Sequence, residues 1–141
     1  MIISTRGRYA MRMMIDLAEH QGEGYVSLTE IAQRQEISKK YLEQIIPSLN
    51  QAGLLQTMRG HQGGYCLTRK PEETTIGAIL RATEGAMAPV ACLETQENVC
   101  LRRTACRSLP VWEGLERVVN EYLEGITLQD VVQQETYSAH E

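Results

Sequence analysis

The chain has no apolar run approaching the ~20 residues that a bilayer-crossing helix needs, so a helical membrane span is not its working unit. It has no phosphate-binding loop and no nucleotide-binding glycine pattern, and its three histidines stand in no recognisable catalytic setting. These absences remove the usual grounds for expecting an enzyme. The opening MIISTRGRYAMR lacks the basic-then-apolar layout of a secretory signal. The expected location is therefore cytoplasmic, where thiols stay reduced and structural disulfides are not expected. Also missing is any C-x2-4-C pair, the usual mark of structural zinc.

What is present points elsewhere. A length of 141 residues suits one domain with an appended element, and 43% hydrophobic with 23% charged residues is an ordinary globular composition. The net charge of −4 conceals an asymmetry. Residues 1–70 hold nine Lys or Arg against six Asp or Glu, whereas residues 71–141 hold five against twelve. A cationic first half is suited to phosphate contacts.

Tyr9, Ala10, Met13, Met14, Leu17 and Ala18 recur at helical spacing and predict an amphipathic helix over 7–20, ending near Gln21 and Gly22. The methionine pair reads as core. Next, Ser27 and Glu30 form a capping-box pattern ahead of a short helix over 28–35. After a brief turn at Glu36 and Ile37, Ser38 caps a second helix to about Ala52, with Leu42, Ile45, Ile46 and Leu49 as its buried stripe and Pro47 as an awkward interior residue. Gly53 supplies a left-handed stop.

Two short helices around a tight turn match a helix-turn-helix, whose second helix offers its N-terminal residues to the major groove. Ser38, Lys39, Lys40, Tyr41, Glu43 and Gln44 are the polar side chains there. Gln44 suits adenine, Glu43 suits the cytosine amino group, and the lysines suit phosphates. Strands at 54–58 and 65–68 follow, joined by a tip containing Arg59, Gly60, His61, Gly63 and Gly64. The glycines permit close approach, and Arg59 suits a narrow minor groove. Helices plus this wing predict a winged helix-turn-helix: mainly α, with a small β-wing. Cys66, in the second wing strand, reads as a half-buried apolar residue.

The second half predicts a helix over 75–84, a long loop over 85–107, and a helix capped by Ser108 that carries Pro110 in its first turn and runs to Glu124. A short helix from Thr127 and a frayed tail over 136–141 follow. The long helix displays Val111, Leu115, Val118, Val119 and Tyr122 on one face, more apolar surface than a small winged domain covers, and is read as the homodimer contact. The loop holds three of the four cysteines, Cys92, Cys100 and Cys106, separated by seven and five residues in CLETQENVCLRRTAC. Separated thiolates on a long loop can wrap an iron–sulfur cluster, and Arg102, Arg103 and Arg107 beside them favour the thiolate form. Two alternatives are a thiol–disulfide switch without a cluster and a small iron–sulfur electron-transfer or interaction module. The second leaves the wing unused.

STRGRYAMRMMIDLA, ISKKYLEQIIPSLNQAGLL, RGHQGGY and the cysteine loop together resemble the winged-helix regulators typified by the bacterial iron–sulfur cluster regulator and the nitric-oxide-sensitive repressor. The resemblance covers nearly the whole chain. It implies a homodimeric repressor on a palindromic operator, gated by a 2Fe–2S or 4Fe–4S cluster on Cys92, Cys100 and Cys106. It also puts Tyr41, Glu43, Gln44, Arg59 and Gly60 at or near the DNA. Two positions depart from the family. Leu109 stands where one branch has a histidine ligand, and Arg8 where another takes an aspartate from the partner's first helix. The fourth ligand is thus open among Glu94, Glu97, His61, a group from the second subunit, or a small molecule. The expected organisation is a DNA-binding domain over 1–84, a cluster loop over 85–107, and a dimerisation helix with its tail over 108–141.

Overall fold

Hydroxyl caps set where the helices begin. The computed structural model describes residues 2–20, 22, 24–61 and 63–134. Helix α1 (Thr5–Glu19) starts two residues earlier than its apolar spacing indicates, because the Ser4 hydroxyl accepts the Gly7 N–H and fixes the first turn. Its buried face is Ala10, Met13, Met14, Leu17 and Ala18. Helix α2 (Leu28–Gln35) carries the full Ser27–Glu30 capping box, and α3 (Lys39–Gln51) opens where Ser38 accepts the Tyr41 N–H at 3.1 Å. Between them Glu36 takes a left-handed conformation (φ 54°) and returns its N–H to Ala32. Leu42, Ile45, Ile46 and Leu49 are buried as the stripe predicted, and the helix continues through the exposed Pro47. Gly53 ends the segment at φ 74°.

The wing pairs β1 (Leu55–Met58) with β2 (Gly64–Leu67), antiparallel, Leu55 opposite Leu67 and Met58 opposite Gly64. Both strands lie one residue from the predicted bounds. A feature absent from the sequence reading holds the wing root: Val26 and Tyr65 exchange both backbone hydrogen bonds, at 2.9 and 2.8 Å. A side chain on Gly64 would run into the Val26 backbone, so glycine is required there.

Helix α4 (Ile76–Glu84) packs on α1 and α3, and α5 (Leu109–Glu124) and α6 (Leu128–Gln133) complete the order. Leu128 of α6 and Met87, just beyond α4, are buried in the same core as the first three helices. In α5 no residue is fully buried. The architecture is the expected winged helix-turn-helix with a long C-terminal helix. Ser108 sits at the predicted cap position, but its side chain makes no cap bond. The frayed tail, and Gln21 at the predicted end of α1, lie outside the described residues.

One buried charge fastens α1 to the helix-turn-helix. Asp16, 1% exposed, receives Arg34 Nε at 2.9 Å, Arg34 Nη2 at 2.7 Å and the Gln35 amide at 3.0 Å. Arg12, one turn earlier, donates to the backbone carbonyl and the side-chain amide of Gln35. Burial alone would favour the neutral acid. The bonds from Arg34 and Gln35, then the charges of Arg34 and His20, outweigh it and hold the Asp16 carboxyl below its ordinary value of 3.8. Such a depressed acid stabilises the fold fully above its unfolded value, and the benefit vanishes as pH falls through the folded one. Asp16→Asn should therefore cost roughly 1.5–3 kcal/mol at neutral pH in urea titrations. It should also flatten the acid limb of the stability–pH curve below about pH 4; an unchanged limb would remove Asp16 as its source.

Candidate nucleic-acid interface and cysteine loop

The N-terminal end of α2, one face of α3 from Lys39 to Asn50, and the wing line an open groove of about 660 Å³. Lys39, Glu43, Arg59, Gly60, His61 and Gly63, all singled out from the sequence, line it. So do Ser27, Thr29, Asn50, Thr57 and Tyr65, which the sequence reading passed over. The alternation within β1 and β2 could have flagged Thr57 and Tyr65, which face each other across the strands. Tyr65 stands beside the recognition helix: burial, and then the nearby Glu43 carboxylate, push its phenol up. The wall is thus cationic at Lys39 and Arg59, with one carboxylate and a neutral hydroxyl between them.

The other predicted contact residues have different surroundings. Lys40 and Gln44 are exposed on α3 outside the groove lining, and the exposed Ser38 uses its hydroxyl as the helix cap. Tyr41 is half-buried. Its ring meets Tyr9 of α1 edge-on at 5.3 Å, and Tyr9 in turn lies 5.2 Å beneath the Arg12 guanidinium. Tyr41 therefore fastens the recognition helix to α1.

In the loop, Cys92 lies in a single 3-10 turn (Ala91–Leu93), and the Cys100 N–H is held by the Asn98 side chain at 2.9 Å. Cys106 stands just ahead of α5. Its Sγ is 3.4 Å from the hydroxyl of Ser108, which has a helical rather than an extended backbone and makes no cap bond. The Ser108 hydroxyl, opposed by burial and then aided by the backbone N–H groups of Ser108 and Leu109 and the charge of Arg102, holds the Cys106 thiol below its ordinary value of 9.0. All four cysteines are free thiols and all are partly exposed. Three soft thiolates are the right donors for an iron–sulfur cluster. As arranged, however, they do not fit one, because among the described residues no three Cys, His, Asp or Glu side chains converge as metal ligands. Of the fourth-ligand candidates, His61 belongs to the wing groove, whereas Glu94 lines a cavity of about 790 Å³ between the loop and α5.

The predicted contact face of α5 is open. Val111, Leu115, Val118 and Tyr122 are 62, 43, 58 and 58% exposed, Val119 is half-buried, and Trp112 adds to the apolar surface. No helix among the described residues is long and apolar enough to cross a membrane.

A family model described as Rrf2, iron-dependent transcriptional regulator, matches residues 3–134. The HTH-type transcriptional regulator CymR of Bacillus subtilis is 43% identical over 131 residues, 93% of this chain and 89% of that one. The solved structure of CymR, the global cysteine regulator of B. subtilis, superposes with a TM-score of 0.75 at 39% identity, over 94% of this chain and 96% of the other. That of T. potens IscR gives 0.71 at 36%, over 100% and 97%.

Since the thiolate is the reactive form, Cys106 should be alkylated by iodoacetamide faster than Cys92 and Cys100 at neutral pH. Peptide mass spectrometry across pH 6–9 follows all three sites in one sample. Ser108→Ala should move the Cys106 profile to higher pH; equal rates at all three positions would refute its activation.

Proposed function

Because the chain belongs to the Rrf2 family of transcriptional regulators, we propose that it reads duplex DNA as a homodimer, with the loop cysteines setting the grip. The observation carrying this reading is the groove in which Lys39 and Glu43 of α3 face Arg59 and Gly60 of the wing. In that arrangement Glu43 accepts from a cytosine amino group, Gln44 pairs with adenine, and Lys39 and Lys40 neutralise phosphates. Arg59 enters the minor groove at the wing tip. Ser38, Tyr41, His61 and Gly63 border the backbone path. Residues 1–84 do the reading, 85–107 the sensing, and 108–141 the pairing.

The partner for the open face of α5 is a second copy of the chain. A 16-residue helix with no fully buried residue, carrying Val111, Leu115, Val118, Val119 and Tyr122 on one side, has the layout of a self-complementary contact. Two recognition helices related by a two-fold axis require a palindromic operator, with half-sites about one helical turn apart.

Two chemistries are open to the loop, and each requires its thiols to draw together. The family's iron-dependent description and the three thiols with adjacent arginines favour a 2Fe–2S or 4Fe–4S cluster on Cys92, Cys100 and Cys106. When bound, it would supply a redox-sensitive inorganic centre. The lowered Cys106 thiol beside Ser108 favours the second reading, in which two loop thiols give up two electrons and two protons to an oxidant and close a disulfide. Anaerobic purification with iron and sulfide analysis, followed by thiol counting after diamide treatment, separates the two.

Duplexes selected by the protein from random-sequence DNA should contain inverted half-sites. On them Glu43→Ala should relax preference at one position per half-site, whereas Arg59→Ala should weaken all sequences about equally and make the salt dependence shallower by ~1. Matching losses for both variants on every duplex would cancel these roles. Leu115→Asp combined with Val118→Asp should yield a monomer in sedimentation; a persistent dimer would place the contact elsewhere.

A further inference from the structure

Helix α4 joins the reading half to the sensing half, and its last residue does so through side-chain bonds. Glu84 immediately precedes the cysteine loop. Its Oε1 accepts the Ser4 N–H at 2.9 Å and the Ser4 hydroxyl at 2.6 Å. That same hydroxyl accepts the Gly7 N–H at 3.2 Å, so one oxygen both caps α1 and donates to Glu84. The carboxylate lies directly over Gly7, where a Cβ would occupy its position. One residue past Thr5, Arg6 donates to the Ser48 hydroxyl of α3 at 2.5 Å. A continuous set of contacts thus runs from the residue that precedes the loop, through the cap of α1, to α3.

The far side of the loop is tied to α4 as well. Glu124, the last residue of α5, is ion-paired with Arg81 and accepts from Thr75 Oγ1 at 3.2 Å. The Ile76 N–H bonds the Ile126 carbonyl, and the Leu128 N–H the Thr74 carbonyl, both at 2.9 Å. Helix α5, which follows the loop, is therefore fastened to α4, and the loop end of α4 is bonded to the start of α1 through Glu84.

We propose that Glu84 is the positioning residue that transmits the state of the cysteine loop to the recognition helix, through Ser4 and Arg6–Ser48. It rests on the reading that loop chemistry sets DNA affinity. Glu84 touches no DNA; it registers α1, and through α1 it registers α3. A change at residues 85–107 that draws the carboxylate off Ser4 releases the first turn of α1. The recognition helix then loses the anchor at Ser48 while keeping its fold. Coupling of this kind is a ratio of affinities between two states, and a purely structural defect would lower both equally.

The test uses full-length protein in a Cys66→Ser background, so that the wing thiol takes no part, and a duplex selected by the protein from random-sequence DNA. Affinity is measured for the reduced protein and after iodoacetamide capping of the loop thiols. The parent is expected to change at least ~5-fold, within the range usual for coupled sites. Glu84→Ala and Gly7→Ala should each reduce that ratio to under about twofold, while Glu84→Gln, which keeps the accepting oxygen, should retain it. Gly7→Ala guards against misfolding, since alanine is the better helix former and only displaces the carboxylate. Full parental response in either alanine variant overturns the role of Glu84 while leaving loop sensing intact. A parent whose affinity ignores capping overturns both.

Discussion

A carboxylate removed from water is tolerable only when its partners are close and well aimed. Asp16 imposes that condition on the first half of the molecule. Its partners are the last two residues of α2, Arg34 and Gln35, so satisfying Asp16 fixes where α2 ends relative to α1. Arg12 reinforces the arrangement by placing a cation at the C-terminal carbonyls of α2, the favourable end of a helix dipole. The left-handed Glu36 then turns the chain toward α3. Tyr9 and Tyr41 add an aromatic contact from α1 to the start of that helix. The attitude of the recognition helix is thus set from behind, by polar and aromatic contacts with α1, as much as by the apolar core beneath it.

The second half is organised by the opposite problem, apolar surface without cover. Helix α5 is amphipathic yet has no fully buried residue, while α6 returns Leu128 to the core of the first half. A single copy of the chain therefore completes the core around its first four helices but leaves its longest helix open. The cysteine loop hangs between these two regimes, bounded on one side by Glu84 at Ser4 and on the other by a helix whose apolar face is unfilled. The loop thus adjoins both the packed first half and the open helix.

Most of the architecture was legible because it is written in local signals. Ser27 with Glu30, Ser38 and Thr127 cap helices where their spacing indicated, and the stripe Leu42–Leu49 is buried as its period requires. What the sequence concealed depends on long-range pairing. Asp16 reads as one more polar residue on a helix, and only the fold brings it to residues 34 and 35. Tyr41 looks like a surface contact by position, and only the fold shows its ring packed against Tyr9. Gly7 looks like an indifferent residue near a helix start until residue 84 arrives above it. The cysteines illustrate a different limit. Spacing along a loop names the donors but not whether their sulfur atoms gather, and in this arrangement they stand apart.

The wing root has a thermodynamic consequence. Because Val26 pairs with Tyr65 on both sides of its peptide, and Gly64 lets the two backbones touch, the hairpin is already fastened to the α1–α2 connection before any partner arrives. Ordering a floppy hairpin on association would cost on the order of 1 kcal/mol per backbone residue immobilised. Here the entropy of the wing root is surrendered during folding rather than on association.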